Sequence, residues 1–374
     1  MVSENGTSEV AHYDLPERRL ELVGAALSRR LEQGKGIWRL ELPREGGRPL
    51  VVEQLGGPVT PPADVARVLP AFLRGANPER IDTAEANGQV ETADDAIGRL
   101  RSMLSRQYAQ ILRHDPGIRL DLDPEDVHRV RVAVRRSRAI LRAARPVLDP
   151  SWSEPLRDEL HWLGSALGRR RDVDVLLGHL RGEIEQLEQP ERTAAGSLVE
   201  LLAGEREAAQ AIAVDALTSE RYYWLLDGLE SAVRGPRVRR GEVSLRKLAA
   251  KEFKRLRELA GRLGPDSTDE ELHRARILGK RARYSAELAE PEVGKPARKF
   301  VERAKAFQDV LGTHQDAIVA EARLRGLLAD SPGSGAAFAA GRLVERERSR
   351  RREARAALPE AWRELERAAE GAWA

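Results

Sequence analysis

The chain has 374 residues, room for two or three domains, and 33% of them are charged although the net charge is only +3. Charge is therefore sorted along the sequence: the bulk balance demands no nucleic-acid partner, while local basic patches remain able to hold a polyanion. Cysteine is absent, which excludes disulfides and thiol chemistry, and no apolar run is long enough to span a bilayer.

The opening MVSENGTSEV lacks the basic-then-apolar pattern of a signal peptide, so the expectation is a soluble cytoplasmic protein. Aromatics are scarce and Ala, Leu, Arg and Glu abundant, which favours helices packed through small and aliphatic side chains. Residues 1–80 read differently from the rest. ERRLELVGAALSRRL fits either a strand or a short helix. GIWRLELP and PLVVEQL, with REGG between them, read as a β-hairpin. PPADVARVLPAFLRG reads as a proline-started short helix. ANPERIDTAEANGQVETADD is polar and loop-like, with a linker expected over 81–91.

From about residue 92 the pattern is helical almost throughout. AIGRLRSMLSRQYAQILRHDPG predicts an amphipathic helix that stops before Pro116. DPEDVHRVRVAVRRSRAILRAARPVL follows, then LRDELHWLGSALGRRRDVDVLLGHLRGEIEQL, then a fourth stretch ending near Val233. RGPRVRRG breaks the pattern, placing a linker at 236–241 between a first set (92–235) and a second (242–374). The second set comprises VSLRKLAAKEFKRLRELAGRLG, DEELHRARILGKRARYSAELAE, ARKFVERAKAFQDVLGTHQDAIVAEARLRGLLAD and a long charged helix to the C-terminus, with SPGSG at 331–335 as punctuation.

The two sets look like copies. A shift of about 145 residues brings HRVRVAVRRSR onto HRARILGKRAR. His128 meets His273, and Arg129, Arg131, Arg136 and Arg138 meet Arg274, Arg276, Arg281 and Arg283. Arg135 meets Lys280. Further on, LGRRRD falls on LGTHQD, pairing Leu167, Gly168 and Asp172 with Leu311, Gly312 and Asp316. Asp123 with Pro124, and Thr268 with Glu271, supply matching helix starts.

At ~100° per residue, His128, Arg131, Arg135, Arg138 and Arg142 share a stripe less than about a quarter-turn wide. Val130, Val134 and Leu141 fall on another side and face a core. His273, Arg276, Lys280 and Arg283 repeat the stripe, and Arg129, Arg136, Arg171, Arg274 and Arg281 are secondary candidates for the same ligand. From His128 to Arg145 there are seven arginines and no acid. Like charges at this spacing destabilise an isolated helix, so acids on a neighbouring helix or a bound anion must compensate. Arginine forks match phosphate oxygens, lysine acts as a compact charge, and histidine adds a donor. Two long rows point to a ligand carrying many regularly spaced phosphates. Asp172 and Asp316 are candidate buried ion-pair partners that aim the cations; Arg171 fits either the ligand or the acid.

The paired motifs resemble the two halves of a CHAD domain, the conserved histidine α-helical domain, over roughly residues 92–370. The resemblance implies a mainly α fold of two duplicated four-helix bundles. It also implies binding of inorganic polyphosphate through the repeated basic helices, with no cofactor, and a place in the cytoplasm at polyphosphate granules. Carried over by position, that role falls on His128, Arg131, Arg135 and Arg138, and on His273, Arg276, Lys280 and Arg283. THQD departs from the family's usual asparagine before the aspartate, so His314 receives no role. GIWRLELPREGGRPLVVEQL and PPADVARVLPAFLRG resemble a shortened CYTH, or triphosphate tunnel, domain. The family's Glu-x-Glu-x-Lys strand is missing from PERRLELV, and about 80 residues cannot supply eight strands, so triphosphatase activity is not expected.

No phosphate loop or His-Glu-x-x-His metal motif occurs, and the seven histidines are scattered. His12 and His114 are expected near loops or ends, His161 and His179 in packing or surface roles, and ERERSRRREAR as a solvated face. Alternatives to a polyphosphate binder are a nucleic-acid-binding helical protein, a metal-dependent triphosphatase or polyphosphatase, and a scaffold that docks an acidic protein. The rows lack interleaved aromatics for base stacking apart from Tyr284.

Overall fold

The computed structural model describes residues 10–15, 18–44, 48–81, 96–146, 148–238, 244–329 and 333–373. Most of REGG, the polar stretch over 82–95, the end of the 236–241 linker and the start of SPGSG lie outside the described residues.

The N-terminal region builds a five-stranded antiparallel sheet in the order β4-β3-β2-β1-β5. Its strands are β1 (Val10–Asp14), β2 (Ala26–Glu32), β3 (Lys35–Leu42), β4 (Leu50–Leu55) and β5 (Glu79–Ile81). The expected pairing of β3 with β4 is present, with Arg39 opposite Glu53. β2 resolves the strand-or-helix alternative: a short 3-10 turn (Glu21–Val23) precedes it, and it pairs along β3. Gln33 and Gly34 both take positive φ, the conformation a tight two-residue hairpin requires. Strand alternation buries Trp38, Leu40 and Leu42 beside Val65, Val68 and Phe72 of α1 (Ala63–Val68) and α2 (Pro70–Leu73). β5 and β1 were not legible as strands; β5 lies in the stretch expected to be loop.

The remainder is helical: α3 (Ala96–Arg119), α4 (Pro124–Ala143), α5 (Pro150–Ala166), α6 (Gly168–Ile184), α7 (Gln189–Thr218), α8 (Glu220–Arg234), α9 (Leu245–Ala260), α10 (Asp269–Val293), α11 (Lys295–Ala329) and α12 (Ser334–Trp373). α3 does not stop before Pro116 but runs on to Arg119. The missing N–H costs one helical bond. Buried Asp115, bonded to Arg119 Nε (2.6 Å) and Tyr222 Oη (3.0 Å), holds that last turn. The expected third and fourth stretches each divide, at Leu167 and at Ser219. Ser219 caps α8 by accepting from the Tyr222 amide. Among the described residues no helix is long and apolar enough to cross a membrane.

Two compact units interleave along the chain. The first takes Met1–Ser137, Glu154–Gly168 and Gln210–Arg237; the second takes Arg138–Ser153, Arg169–Ala209 and Val238–Ala374. In the first, Arg19 and Arg74 reach Glu230 of α8, and Arg74 also meets Asp227 and Tyr108 of α3. In the second, α9, α10, α11 and α12 share one core built on Leu256, Leu272, Phe300, Phe307 and Leu365. A separate core joins α6 and α7 to the C-terminal part of α11 and the N-terminal part of α12, through Leu180, Leu198, Leu324 and Leu343.

Candidate polyanion-binding site

α4 starts where the sequence places it. Asp123 Oδ1 accepts from the Glu125 amide (2.8 Å), and Pro124 supplies a preset φ. In the first turn, Asp126 is buried against His114, with Oδ1 2.7 Å from Nδ1. His114 is thus an interior group, not a loop histidine. Val127, Val130, Ala133, Val134, Ile140 and Leu141 turn inward. On the row, Arg135 is exposed and His128, Arg131, Arg138 and Arg142 are half-buried. Arg131 Nη1 donates to the Gly164 carbonyl (2.8 Å) in the last turn of α5, where a helix end favours a cation. Gly168 makes room for it, since a Cβ there would stand 2.8 Å from the same Nη1. Arg131 therefore has a positioning role that the sequence did not announce. Of the flanking residues, Arg129 is exposed and pairs with Glu125 (3.0 Å), and Arg136 and Arg171 are half-buried.

α10 begins with the capping box expected at Thr268 and Glu271. Leu272, Ala275, Gly279, Ala282 and Ala286 form its buried face. α11 packs on this face: Gln308 Nε2 donates to the Gly279 carbonyl (3.0 Å), and Phe307 lies against the same glycine. That approach sets Gln315 beside the second row, 3.0 Å from His273 Nδ1. His273 and Arg274 are exposed; Arg276, Lys280, Arg281 and Arg283 are half-buried. Arg283 lies over the Tyr284 ring (4.8 Å) and 3.7 Å from Glu287.

The duplication is imperfect at its helix breaks and glycines. α11 runs unbroken through LGTHQD, whereas LGRRRD straddles the break between α5 and α6. A Cβ on Gly312 would meet open space. Asp172 and Asp316 are exposed, not buried as expected. The Asp316 carboxyl is nonetheless partly desolvated where it meets its neighbours. Burial raises its pKa above the usual carboxylate value, and Arg276, Arg350, Lys280 and His179 pull it back down.

Two of those four groups escaped the sequence reading. His179 of α6 contacts Glu347, and its Nε2 lies 2.8 Å from Arg350 Nη1. Glu347 is only 1% exposed, so this part of ERERSRRREAR is interior. The signal was faint: Leu343, Val344 and Glu347 share a helix face, but the charge run conceals it.

His314 is also buried and close to charge. Its Nε2 accepts from Arg355 Nε (3.2 Å) and lies 3.4 Å from Asp269 Oδ1. Burial lowers its pKa; Asp269 works against that shift, and Arg355 and Arg351 add to it. The unfolded chain then takes up this proton at a higher pH than the folded one. The stability His314 provides is complete above about pH 6.5 and is lost as pH falls below it. Urea midpoints are expected to fall between pH 7.5 and 5.5, and a His314→Gln variant to show a flatter profile over the same interval. Equal slopes in the two proteins would remove His314 as the cause.

Among the described residues no group of three or more His, Asp or Glu side chains is arranged to hold a metal ion. The fold and the rows define a duplicated helical domain that carries repeated His-Arg/Lys helices. The family model of the CHAD domain matches residues 102–325, more than half of the chain, and the chain belongs to that family. Uncharacterized proteins from two Mycobacterium tuberculosis strains, CDC 1551 and H37Rv, are each 28% identical over 369 residues, covering 92% of this chain and 68% of theirs. Among solved structures, PptA from Streptomyces chartreusis is similar at 25% identity and TM-score 0.60, over 71% of this chain and 99% of its own. The CHAD domain from the plant Ricinus communis is similar at 25% identity and TM-score 0.54, over 76% of this chain and 94% of its own.

Proposed function

We propose that this protein binds inorganic polyphosphate without transforming it, using the α4 and α10 rows. The observation that carries the reading is the repetition of one histidine and several cations at matching positions on two helices with matching starts. Membership of the CHAD family supports it. The half-buried arginines keep part of their stems out of water, which leaves less side-chain freedom to lose on binding than a fully exposed cation has. Arg131 contributes by bracing α4 on α5, and His179 and Arg350, paired with Glu347, add positive charge within reach of Asp316 beside Arg276 and Lys280. The N-terminal sheet is read as the shortened tunnel-like segment, a packing or interaction surface without the acidic motif that triphosphate hydrolysis needs. The expected place of action is the cytoplasm, at polyphosphate granules.

Calorimetric titration with long-chain polyphosphate at several salt concentrations tests this. Binding is expected to weaken with salt, with a log–log slope of about −0.7 per contacted phosphate by analogy with single strands. Single-stranded RNA is expected to compete poorly, because base-stacking aromatics are lacking on the rows. No heat at low salt, or RNA competing on equal terms, rejects the reading.

A further inference from the structure

The second unit contains a cavity that the polyphosphate reading does not use. It measures about 510 Å³ and lies among the C-terminal end of α9, the α9–α10 loop, the start of α10, and α11 and α12. Leu263, Leu272, Phe307, Leu358 and Trp362 give it an apolar lining. Phe307 and Leu272 are buried parts of the bundle core, and Trp362 is a half-buried ring 5.7 Å from Phe307. This is the size and character of a small-molecule pocket.

The wall formed by the α9–α10 loop is braced. Arg355 donates to the carbonyls of Pro265 (3.0 Å) and Ser267 (2.6 Å) and to Asp269 (3.1 Å). The Gly264 amide donates to Ser267 Oγ (2.9 Å), and the capping box follows at once. A cavity whose wall is already held loses little ordering entropy when it fills.

Charge on the lining has one sign. Arg355 and Arg363 are the charged residues among the lining residues, eight positions apart on α12, and no acid is among them. Arg355 is committed to the loop. Arg363 is exposed, and its partners lie on its own helix: the Glu360 carboxylate and, at 3.4 Å, the Pro359 carbonyl. Such exposed local pairs are weak, so this guanidinium can turn to an acid in the cavity at small cost.

We propose that this cavity binds a drug-sized amphiphile, an apolar body against Leu263, Leu358 and Trp362 with a single anionic group at Arg363. The site is separate from the α4 and α10 rows, and the inference stands whether or not polyphosphate is their ligand.

The full chain is titrated with 1-anilinonaphthalene-8-sulfonate and, in parallel, with neutral N-phenyl-1-naphthylamine. Both are expected to saturate at one per chain with a fluorescence rise. Ala356 is an exposed lining position on α12, so Ala356→Phe fills the cavity without entering the bundle core. It is expected to weaken both probes at least about ten-fold while the thermal melt stays in place. Should that variant melt early, Ala356→Glu at the same site repeats the test by repelling the sulfonate. Arg363→Ala is expected to weaken the sulfonate about two- to five-fold and to leave the neutral probe unchanged. Wild-type affinity in the cavity variants, no saturation at one per chain, or equal loss of both probes in Arg363→Ala overturns the assignment.

Discussion

Replacing Glu230 with Gln is expected to lower the unfolding free energy by about 3 kcal/mol or more. Glu230 takes both ends of the Arg19 fork, with Nε at 3.1 Å and Nη2 at 2.9 Å, and also Arg74 Nη1 at 3.1 Å. The side chains of Arg19, Arg74 and Glu230 are only 10%, 5% and 11% exposed. Arg74 further donates to the Tyr108 hydroxyl, whose pKa burial pushes up to about 12, so this phenol remains a neutral partner. Removing the one buried carboxylate leaves Arg19 with the Phe72 carbonyl and Arg74 with the exposed Asp227, two guanidiniums in a poorly solvated place without a buried counter-charge. That uncompensated charge dominates the loss, more than any missing hydrogen bond. Urea unfolding followed by tryptophan emission measures the effect, with exposed Glu220→Gln as a near-neutral comparison. Arg19→Met, Arg74→Met and Glu230→Leu together are expected to recover most of the lost stability, because an apolar trio needs no compensation. A loss below about 1 kcal/mol in the single variant would show that water reaches the network after all.

That network also shows where sequence reading stops. Arg19 and Glu230 stand 211 positions apart, and nothing local to either marks them as partners. What was legible is local or periodic. Asp123 before Pro124 gave the start of α4, Thr268 with Glu271 gave α10, and alternation in GIWRLELP gave β3. The burial of Val130, Val134 and Leu141 followed from helical spacing alone. β5 could not be read because three residues, Glu79–Ile81, become a strand only through pairing with His12, Tyr13 and Asp14. The break at Leu167 carries no proline and no strong cap, so only packing reveals it. The rows themselves were visible as composition. What each cation touches was not: neither the Gly164 carbonyl that takes Arg131 nor the reach of Arg276 to Asp316 is marked in the motif.

The largest expected effect on binding falls on the second row. Arg276→Ala with Lys280→Ala is expected to weaken polyphosphate about 100-fold, as two charge-assisted phosphate contacts at about 1.5 kcal/mol each would require. Asp316→Asn is expected to act in the opposite direction. The carboxylate sits within the electrostatic reach of Arg276, Arg350, Lys280 and His179, so it is a resident anion that a phosphate must displace or tolerate. Its folded-state pKa is raised, so its charged form costs folding free energy once pH rises above the unfolded value near 3.8. Removing the charge at neutral pH should therefore not destabilise the fold. In the wild-type protein, acidification protonates Asp316 before an ordinary aspartate, toward the neutral state that Asn imitates. At pH 7.5 polyphosphate should bind Asp316→Asn several-fold more tightly than the wild-type protein. If Asp316 instead serves to aim the cations, Asn at this position would loosen Arg276 and Lys280 and affinity would fall. Titrations of the two proteins at pH 7.5 separate these outcomes by sign, and weaker binding by Asp316→Asn would end the resident-anion account.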